Sequence, residues 1–250
     1  MGRILITGAG KRVGRQLALD LAAAGHDIAA HYNSSRADAE EVAAQIKAMG
    51  RRAVVLPGNL ADAGIGDDLI ARAQAALGPL DVLINNASIY EVDELGSITA
   101  ESWERHLNIN LRAPVMLAQA FARALPRGAH GNIINIIDER VWKLNPQFFS
   151  YTISKSALWT ATQTMAQAMA PRIRVNAIGP GPALPSARQS AAEFAKQESL
   201  TLLERGTSPA EIAAAAKFIL SMPSMTGQMI ALDGGQHLLW RTIDVVEVKE

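Results

Sequence analysis

Tyr151 and Lys155 stand four residues apart in FFSYTISKSAL, and Asp138 lies thirteen positions before the tyrosine. On a helix, residues four apart project from one face about one turn from each other. An ammonium beside a phenol favours the phenolate and lowers a pKa that ordinarily sits near ~10. Tyr151 is therefore expected to act as a proton donor and acceptor near neutral pH. A surface Tyr and Lys on an ordinary helix would give the same spacing, so the elements around the pair have to decide. An apolar run, Ile133 to Ile137, reads as a strand that ends at Asp138 and carries it toward that helix.

The rest of the chain alternates strand with helix. Arg3 to Thr7 is a short β-type run feeding Gly8-Ala9-Gly10-Lys11-Arg12-Val13-Gly14. An apolar helix follows and ends at Gly25, a C′ glycine, and DIAAHY is the second strand. Such a βαβ unit lets a pyrophosphate approach backbone N–H groups at a helix start. The spacing is Gly-x-Gly-x-x-x-Gly rather than G-x-G-x-x-G. At the end of the second strand an Asp or Glu would bind a ribose 2′-hydroxyl. This chain has His31-Tyr32-Asn33-Ser34-Ser35-Arg36 and no acid until Asp38. Hydroxyls, an amide and a guanidinium suit a 2′-phosphate, so the expected cofactor is NADPH. Ser34 or Ser35 also suits a helix cap, and the two roles are compatible.

RRAVVLP, LDVLI, RIRVNAI and GQMIALDGG supply further strands; Asp62 to Leu77, Thr99 to Leu125, AAEFAKQESLTLL and SPAEIAAAAKFIL supply helices. Ser208 caps the last of these, with Pro209 at its first position. Asn108, Asn110 and Pro114 interrupt the Thr99 helix, because a mid-helix proline frees the carbonyl four residues earlier. Alternation of this kind predicts an α/β fold, a doubly wound Rossmann-type parallel sheet of about seven strands flanked by helices. One domain is expected over residues 1–236, with a proline-stiffened substrate loop at 179–200 and a C-terminal tail at 237–250 that packs on a neighbouring subunit.

Composition narrows the function. Lys+Arg and Asp+Glu both total 24, so no broad basic footprint for nucleic acid exists. There are no cysteines, which removes disulfides, thiolate zinc sites and Cys nucleophiles. No metal site is read. MGRILITGAG lacks the pattern of a signal peptide, and no run approaches ~18 apolar residues, so a cytoplasmic protein off the membrane is expected.

TGAGKRVG, NNAS, Asn110 in HLNINL, YTISK, VNAIGPG and TGQMIALDGG, in that order from about residue 3 to 236, resemble the short-chain dehydrogenase/reductase family. The resemblance implies Tyr151 as acid/base, Lys155 as its pKa modifier and nicotinamide-ribose ligand, and Asn110 as holder of a proton-relay water. It implies cofactor contacts at Gly8, Lys11, Arg12, Val13, His31, Tyr32, Asn33, Ser34, Ser35, Asn59, Leu60, Asn86, Ala87, Ser88, Pro180 and Gly181, besides Tyr151 and Lys155. It also implies a homo-oligomer, dimer or tetramer, through the Thr99 and Tyr151 helices.

Four positions depart from the family's usual residues: Arg12, Ser88 and Asn59 stand for Gly, Gly and Asp, and Asp138 for the catalytic Ser. Arg12, Ser88 and Asp138 resemble the pteridine reductase and dihydromonapterin reductase branch, in which an aromatic two residues past the Ser covers one face of a pterin; here that residue is Tyr90. Asn59 belongs to neither pattern. The expected substrate contacts are Arg12, Ser88, Tyr90, Asp138, Tyr151, Leu184 and Trp142, the last in the loop between Asp138 and Tyr151.

The chemistry supports the same assignment. A Ser hydroxyl donates to the oxyanion developing on a ketone, whereas an ionised Asp138 would repel it. A ring nitrogen as the reacting atom, with N–H donors at the ring edge, removes the conflict. Reduction of a pterin C=N bond by NADPH is the leading expectation. A general carbonyl reductase acting on a 3-oxoacyl thioester, sugar or ketone is the alternative within enzymes, and a non-catalytic NADP(H) sensor the alternative outside them. At single positions Arg12 alternatively serves only as a phosphate clamp, Tyr90 as a core aromatic, Ser88 as a partner of backbone groups, and Asp138 as a turn residue of an enzyme without activity.

Overall fold

The computed structural model describes residues 2–241, so most of the expected tail, residues 242–250, lies outside the described residues. Seven parallel strands form one sheet in the order β3-β2-β1-β4-β5-β6-β7: β1 Arg3–Ile6, β2 Asp27–Tyr32, β3 Ala53–Pro57, β4 Val82–Asn85, β5 Gly131–Ile136, β6 Ile173–Pro180 and β7 Met229–Leu232. The helices are α1 Arg12–Ala23, α2 Arg36–Ala48, α3 Ile65–Leu77, α4 Ala100–Leu107, α5 Ala113–Ala124, α6 Phe149–Met169, α7 Ala191–Ser199 and α8 Pro209–Ser221. The five inner strands are buried on both faces, which is why they read as continuous apolar runs rather than alternating ones.

Two cores result from the two-residue period of the strands. Ile4, Ile6 and Ile28 meet Leu17 and Leu21 of α1, Ile46 of α2 and Ile212 of α8 on one face. Leu5, Leu83, Ile133 and Val175 meet Leu69 of α3, Leu117 and Phe121 of α5 and Met165 of α6 on the other. After β3 the chain returns to the middle of the sheet, where β4 pairs with β1 in the register Ile4↔Val82 to Ile6↔Ile84. The order of strands reverses at that point, and a crevice opens beyond their carboxyl ends.

The expected AAEFAKQESLTLL helix ends at Ser199, and two further boundaries differ from the sequence pattern. The α3 helix starts at Ile65, not Asp62, because Asn59 and Asp62 are engaged in a turn of their own and Gly64 enters with φ 77. The expected Thr99–Leu125 helix is two helices joined by a π turn, Asn108–Arg112. Pro114 in the first turn of α5 cannot donate to the preceding ladder, and the extra residue of the π turn absorbs the mismatch.

Candidate active site

The glycine turn after β1 is built for close approach. Gly8 has φ +65, and a Cβ on Gly14 would lie 2.0 Å from the Gly8 carbonyl oxygen and 2.6 Å from Asn86 Nδ2. Two groups from neighbouring strands hold it. Asn86, just past β4, donates to the carbonyls of Thr7 (2.9 Å) and Gly8 (3.2 Å), while Thr7 Oγ1 accepts from the backbone of Asn86 and Ala87. His31 of β2 accepts from Gly8 N–H at Nδ1 (3.2 Å) and reaches the Gly58 carbonyl through Nε2 (3.0 Å). That pair of partners requires the Nε2–H tautomer. Burial pushes its pKa down to about 4, so it stays neutral.

At the far end Asn33, Ser34 and Ser35 line the crevice. Ser35 occupies the cap position of α2 without a side-chain cap bond, which leaves its hydroxyl for a ligand. Arg36 pairs with Glu40 at 2.7 Å instead. Asn59 donates to Asp62 (2.8 Å) and accepts from Ala61 N (3.1 Å), so it lines the crevice as part of a fixed turn.

Toward the middle, a polar ladder threads the sheet: Asn85 donates to Asn135 (2.9 Å), Asn135 to Thr162 (2.8 Å) and Thr162 to the Leu158 carbonyl of α6 (2.8 Å). It ties α6 to β4 and β5 and so fixes the face carrying Tyr151 and Lys155. Tyr151 donates its phenol to Asp138 Oδ2 at 2.7 Å, and Asp138 Oδ1 accepts from Arg140 N at 2.9 Å. Asp138 thus caps the short 3₁₀ turn Glu139–Val141 with one oxygen and holds the phenol with the other. Burial, the charge of Asp138 and this hydrogen bond raise the Tyr151 pKa well above 10. The expectation that Lys155 lowers it is corrected: Lys155 Nζ donates to the Ile136 carbonyl (2.8 Å) and sits 5.7 Å from the Tyr151 ring centroid, whereas the carboxylate is in direct contact with the phenol. Burial also lowers Lys155 itself, to about 8.

Asn110 is fully buried in the π turn. Its amide donates to the Ile89 carbonyl (3.0 Å) and Ser154 Oγ (3.1 Å) and accepts from Ser88 Oγ (3.1 Å) and Ile89 N (2.9 Å). All four hydrogen-bonding positions of the side chain are used, so it clamps the 88–90 segment to α6. Ser88 spends its hydroxyl on Asn110 and Ile89. The clamp presents Tyr90, which stacks on Phe148 (centroids 4.1 Å, 13°) and meets the edge of Tyr151 (4.7 Å, 71°).

One cavity of about 940 Å³ runs along this site. Gly8, Arg12, Val13, His31, Tyr32, Leu60, Asn86, Ala87, Ser88, Tyr90, Asp138, Tyr151, Lys155, Gly181 and Leu184 all reach it. Four expected positions do not border it. Lys11 extends to Asp38 (3.1 Å), Pro180 pairs with Leu232 at the end of β6, and Asn110 is sealed beneath Ser88. Trp142 packs edge-on to Trp159 (6.3 Å) and against His237 (5.2 Å), so its assignment to the substrate wall is corrected. Arg12, with φ 51, does not point only at the phosphate turn: its guanidinium donates to the carbonyls of Pro185 (2.8 Å) and Leu184 (3.2 Å) on the substrate loop.

Sequence reasoning missed Glu139, Arg140, Phe148, Arg188, Phe194 and Gln236, which line the same cavity. Phe148 carried one usable signal, its place just before the Tyr151 helix. It adopts φ 55, a left-handed conformation that bulky residues avoid and that sets its ring on Tyr90. Glu139 is buried, and desolvation with the nearby charges of Asp138 and Asp233 pushes its carboxyl up to about 7.

The short chain dehydrogenase family model matches residues 3–196. A 3-oxoacyl-[acyl-carrier-protein] reductase from Staphylococcus aureus is 31% identical over 239 residues, covering 94% of this chain and 97% of the relative. The crystal structure of FolM alternative dihydrofolate reductase 1 from Brucella canis, complexed with NADP, superposes with a TM-score of 0.95 at 46% identity, covering 98% of this chain and 97% of that one. A short chain dehydrogenase from Burkholderia cenocepacia in complex with NADP superposes at 0.88 with 32% identity, covering 94% and 97%.

Proposed function

The chain belongs to the short-chain dehydrogenase family, and from that premise we propose that it is an NADPH-dependent reductase of a pterin C=N bond, taking a dihydropterin such as dihydrofolate to the tetrahydro form. The observation that carries the substrate class is the 2.7 Å hydrogen bond from Tyr151 to Asp138, an acceptor standing where a ketone's oxyanion needs a donor.

The cavity fits the cofactor. The absent Cβ of Gly14 lets the Gly8 turn close onto the start of α1, the helix N-terminus that suits a pyrophosphate, and the uncommitted Ser35 hydroxyl with Ser34 and Asn33 suits a 2′-phosphate. Gly8, Arg12, Val13, Asn86 and Ala87 would hold the phosphates and inner ribose, and Lys155 the nicotinamide ribose. When bound, the cofactor supplies the hydride. Hydride addition to the carbon of C=N makes the nitrogen strongly basic, and its protonation by Tyr151 in the same step keeps negative charge from building up beside Asp138. A phenol whose pKa lies well above 10 is still acid enough for it and is fully protonated at neutral pH. Asp138 orients that proton and accepts from ring N–H groups, Tyr90 covers a ring face, and Arg12 and Leu184 close the loop side.

The rate of NADPH oxidation with dihydrobiopterin, dihydromonapterin and dihydrofolate, against an acetoacetyl thioester and a simple diketone, tests this. Turnover confined to the carbonyls would replace the pterin assignment with carbonyl reduction, the activity named for the Staphylococcus aureus relative. Binding of NADPH without turnover on any of them would favour the sensor. A cytoplasmic enzyme that assembles with its own copies completes the proposal. Exposed Met116 on α5 and Ile153 on α6 support assembly through those helices, and sedimentation of the holoenzyme measures it. Among the described residues no helix is long and apolar enough to cross a membrane.

A further inference from the structure

Arg140 and Arg188 stand at the rim of the cavity beside the stacked Tyr90 and Phe148 rings. The Arg140 guanidinium carbon is 5.9 Å from the Tyr90 centroid and 5.3 Å from that of Phe148. For Arg188 the corresponding distances are 5.2 and 5.5 Å. With rings stacked at 4.1 Å, a cation capping one outer face would be much farther from the other ring; near-equal distances put both guanidiniums along the edges of the pair. The two charges flank the way out of the cavity.

Neither arginine has a carboxylate within ion-pair distance among the described residues. Arg140 bonds Asn145 Oδ1 (3.1 Å), the Gln147 carbonyl (3.3 Å) and, at 3.5 Å, the Tyr90 hydroxyl, and its Nε is buried without a partner. Arg188 is exposed, and among the described residues its guanidinium donates to the Tyr90 carbonyl alone (3.2 Å). Two guanidiniums on one rim, neither with an ion-pair partner among the described residues, suit the planar, bidentate recognition of carboxylates.

We propose that Arg140 and Arg188 form a carboxylate-binding site at the cavity mouth, which selects pterins with an acidic tail, the dihydrofolate class, over uncharged ones. The proposal rests on the pterin assignment above for its selectivity, though not for its anion. A pterin ring near Tyr90 and Tyr151 directs its tail toward the mouth, between the two arginines.

The test compares kcat/KM for dihydrofolate and dihydromonapterin in the wild type, Arg188→Gln, Arg188→Lys and Arg140→Gln. In parallel, N-(4-aminobenzoyl)glutamate, the acidic fragment alone, is titrated calorimetrically into the NADP-loaded wild type and variants. Arg188→Gln is expected to lower the dihydrofolate-to-dihydromonapterin ratio about tenfold, through KM, as loss of one charge-assisted pair implies. Arg188→Lys is expected to recover part of it, and added salt to compress the wild-type ratio. The fragment should bind the wild type and weaken about tenfold in the Arg188→Gln variant. An unchanged ratio, a parallel fall for both pterins, or a fragment that binds both proteins equally would overturn the proposal. A protein that reduces no pterin yet binds the fragment through Arg188 would overturn the pterin assignment and keep the anion site.

Discussion

Replacing Asp138 by Asn is the sharpest perturbation of the Tyr151–Asp138 pair. The shape is kept, and the Tyr151 phenol can still donate to the amide oxygen, but the negative charge beside it is gone. A hydrogen bond to a charged group contributes about 1.5–3 kcal/mol, against about 0.5–1.5 for a neutral one, so roughly 1 kcal/mol that favoured the phenol over the phenolate is lost. Relief of the Coulombic repulsion acts in the same direction. At a fixed alkaline pH the phenolate-to-phenol ratio of Tyr151 should rise at least about fivefold. With only three tyrosines in the chain, ultraviolet titration of Asp138→Asn against Asp138→Asn/Tyr151→Phe isolates the signal. The alkaline limb of the pH–rate profile should move to lower pH, and turnover on dihydropterins should fall about 10²–10⁴-fold as the proton-handling pair is broken. An unchanged or smaller phenolate fraction would refute the claim that the Asp138 carboxylate holds the Tyr151 proton in place.

Asp138→Ser should abolish pterin turnover while holding or raising activity on the ketone controls, a comparison read directly from the two rates. Gly14→Ala should cost at least about 1–3 kcal/mol, because its Cβ would meet the Gly8 carbonyl oxygen at 2.0 Å; thermal melts with and without NADP should show lower stability and weaker cofactor stabilisation. Glu139 has a folded pKa of about 7 against an ordinary value of 4.5, so the folded state holds a proton that the unfolded chain releases, and its contribution is present below 4.5 and lost as pH rises through 7. Glu139→Gln should therefore flatten the stability profile between those values and raise stability at pH 8 by about 1–3 kcal/mol. Lys155, lowered from 10.5 to about 8, costs the fold most below pH 8, and stability recovers as pH rises toward 10.5. Lys155→Met should accordingly abolish turnover while raising the melting temperature at pH 7.

The fold and the crevice at the carboxyl ends of its strands were legible because they are written in local patterns. Strand–glycine–helix sequences, the missing acid after Tyr32 and the four-residue spacing of Tyr151 and Lys155 each carry their geometry with them. The arrangement of charges was not, because it depends on which oxygen reaches which proton. Lys155 is on the right face, yet its ammonium goes to the Ile136 carbonyl and leaves the phenol to Asp138. Asn110 shows the same limit: its position in the π turn was readable, whereas the saturation of its amide by Ser88, Ile89 and Ser154 depends on contacts across the fold. Trp142 had only its place in a loop to speak for it, and the apolar side of Trp159 drew it away from the cavity.

Arg12 belongs to the phosphate turn by sequence and to the substrate loop by its hydrogen bonds to Leu184 and Pro185. A side chain shared between two ligands' walls makes their binding equilibria dependent on each other. Whatever factor NADPH adds to the affinity for a pterin, the pterin must add to the affinity for NADPH, since the coupling free energy is one quantity. Arg12→Met should cut both together and bring the cooperativity factor toward one, so that the loop no longer registers whether the cofactor has arrived.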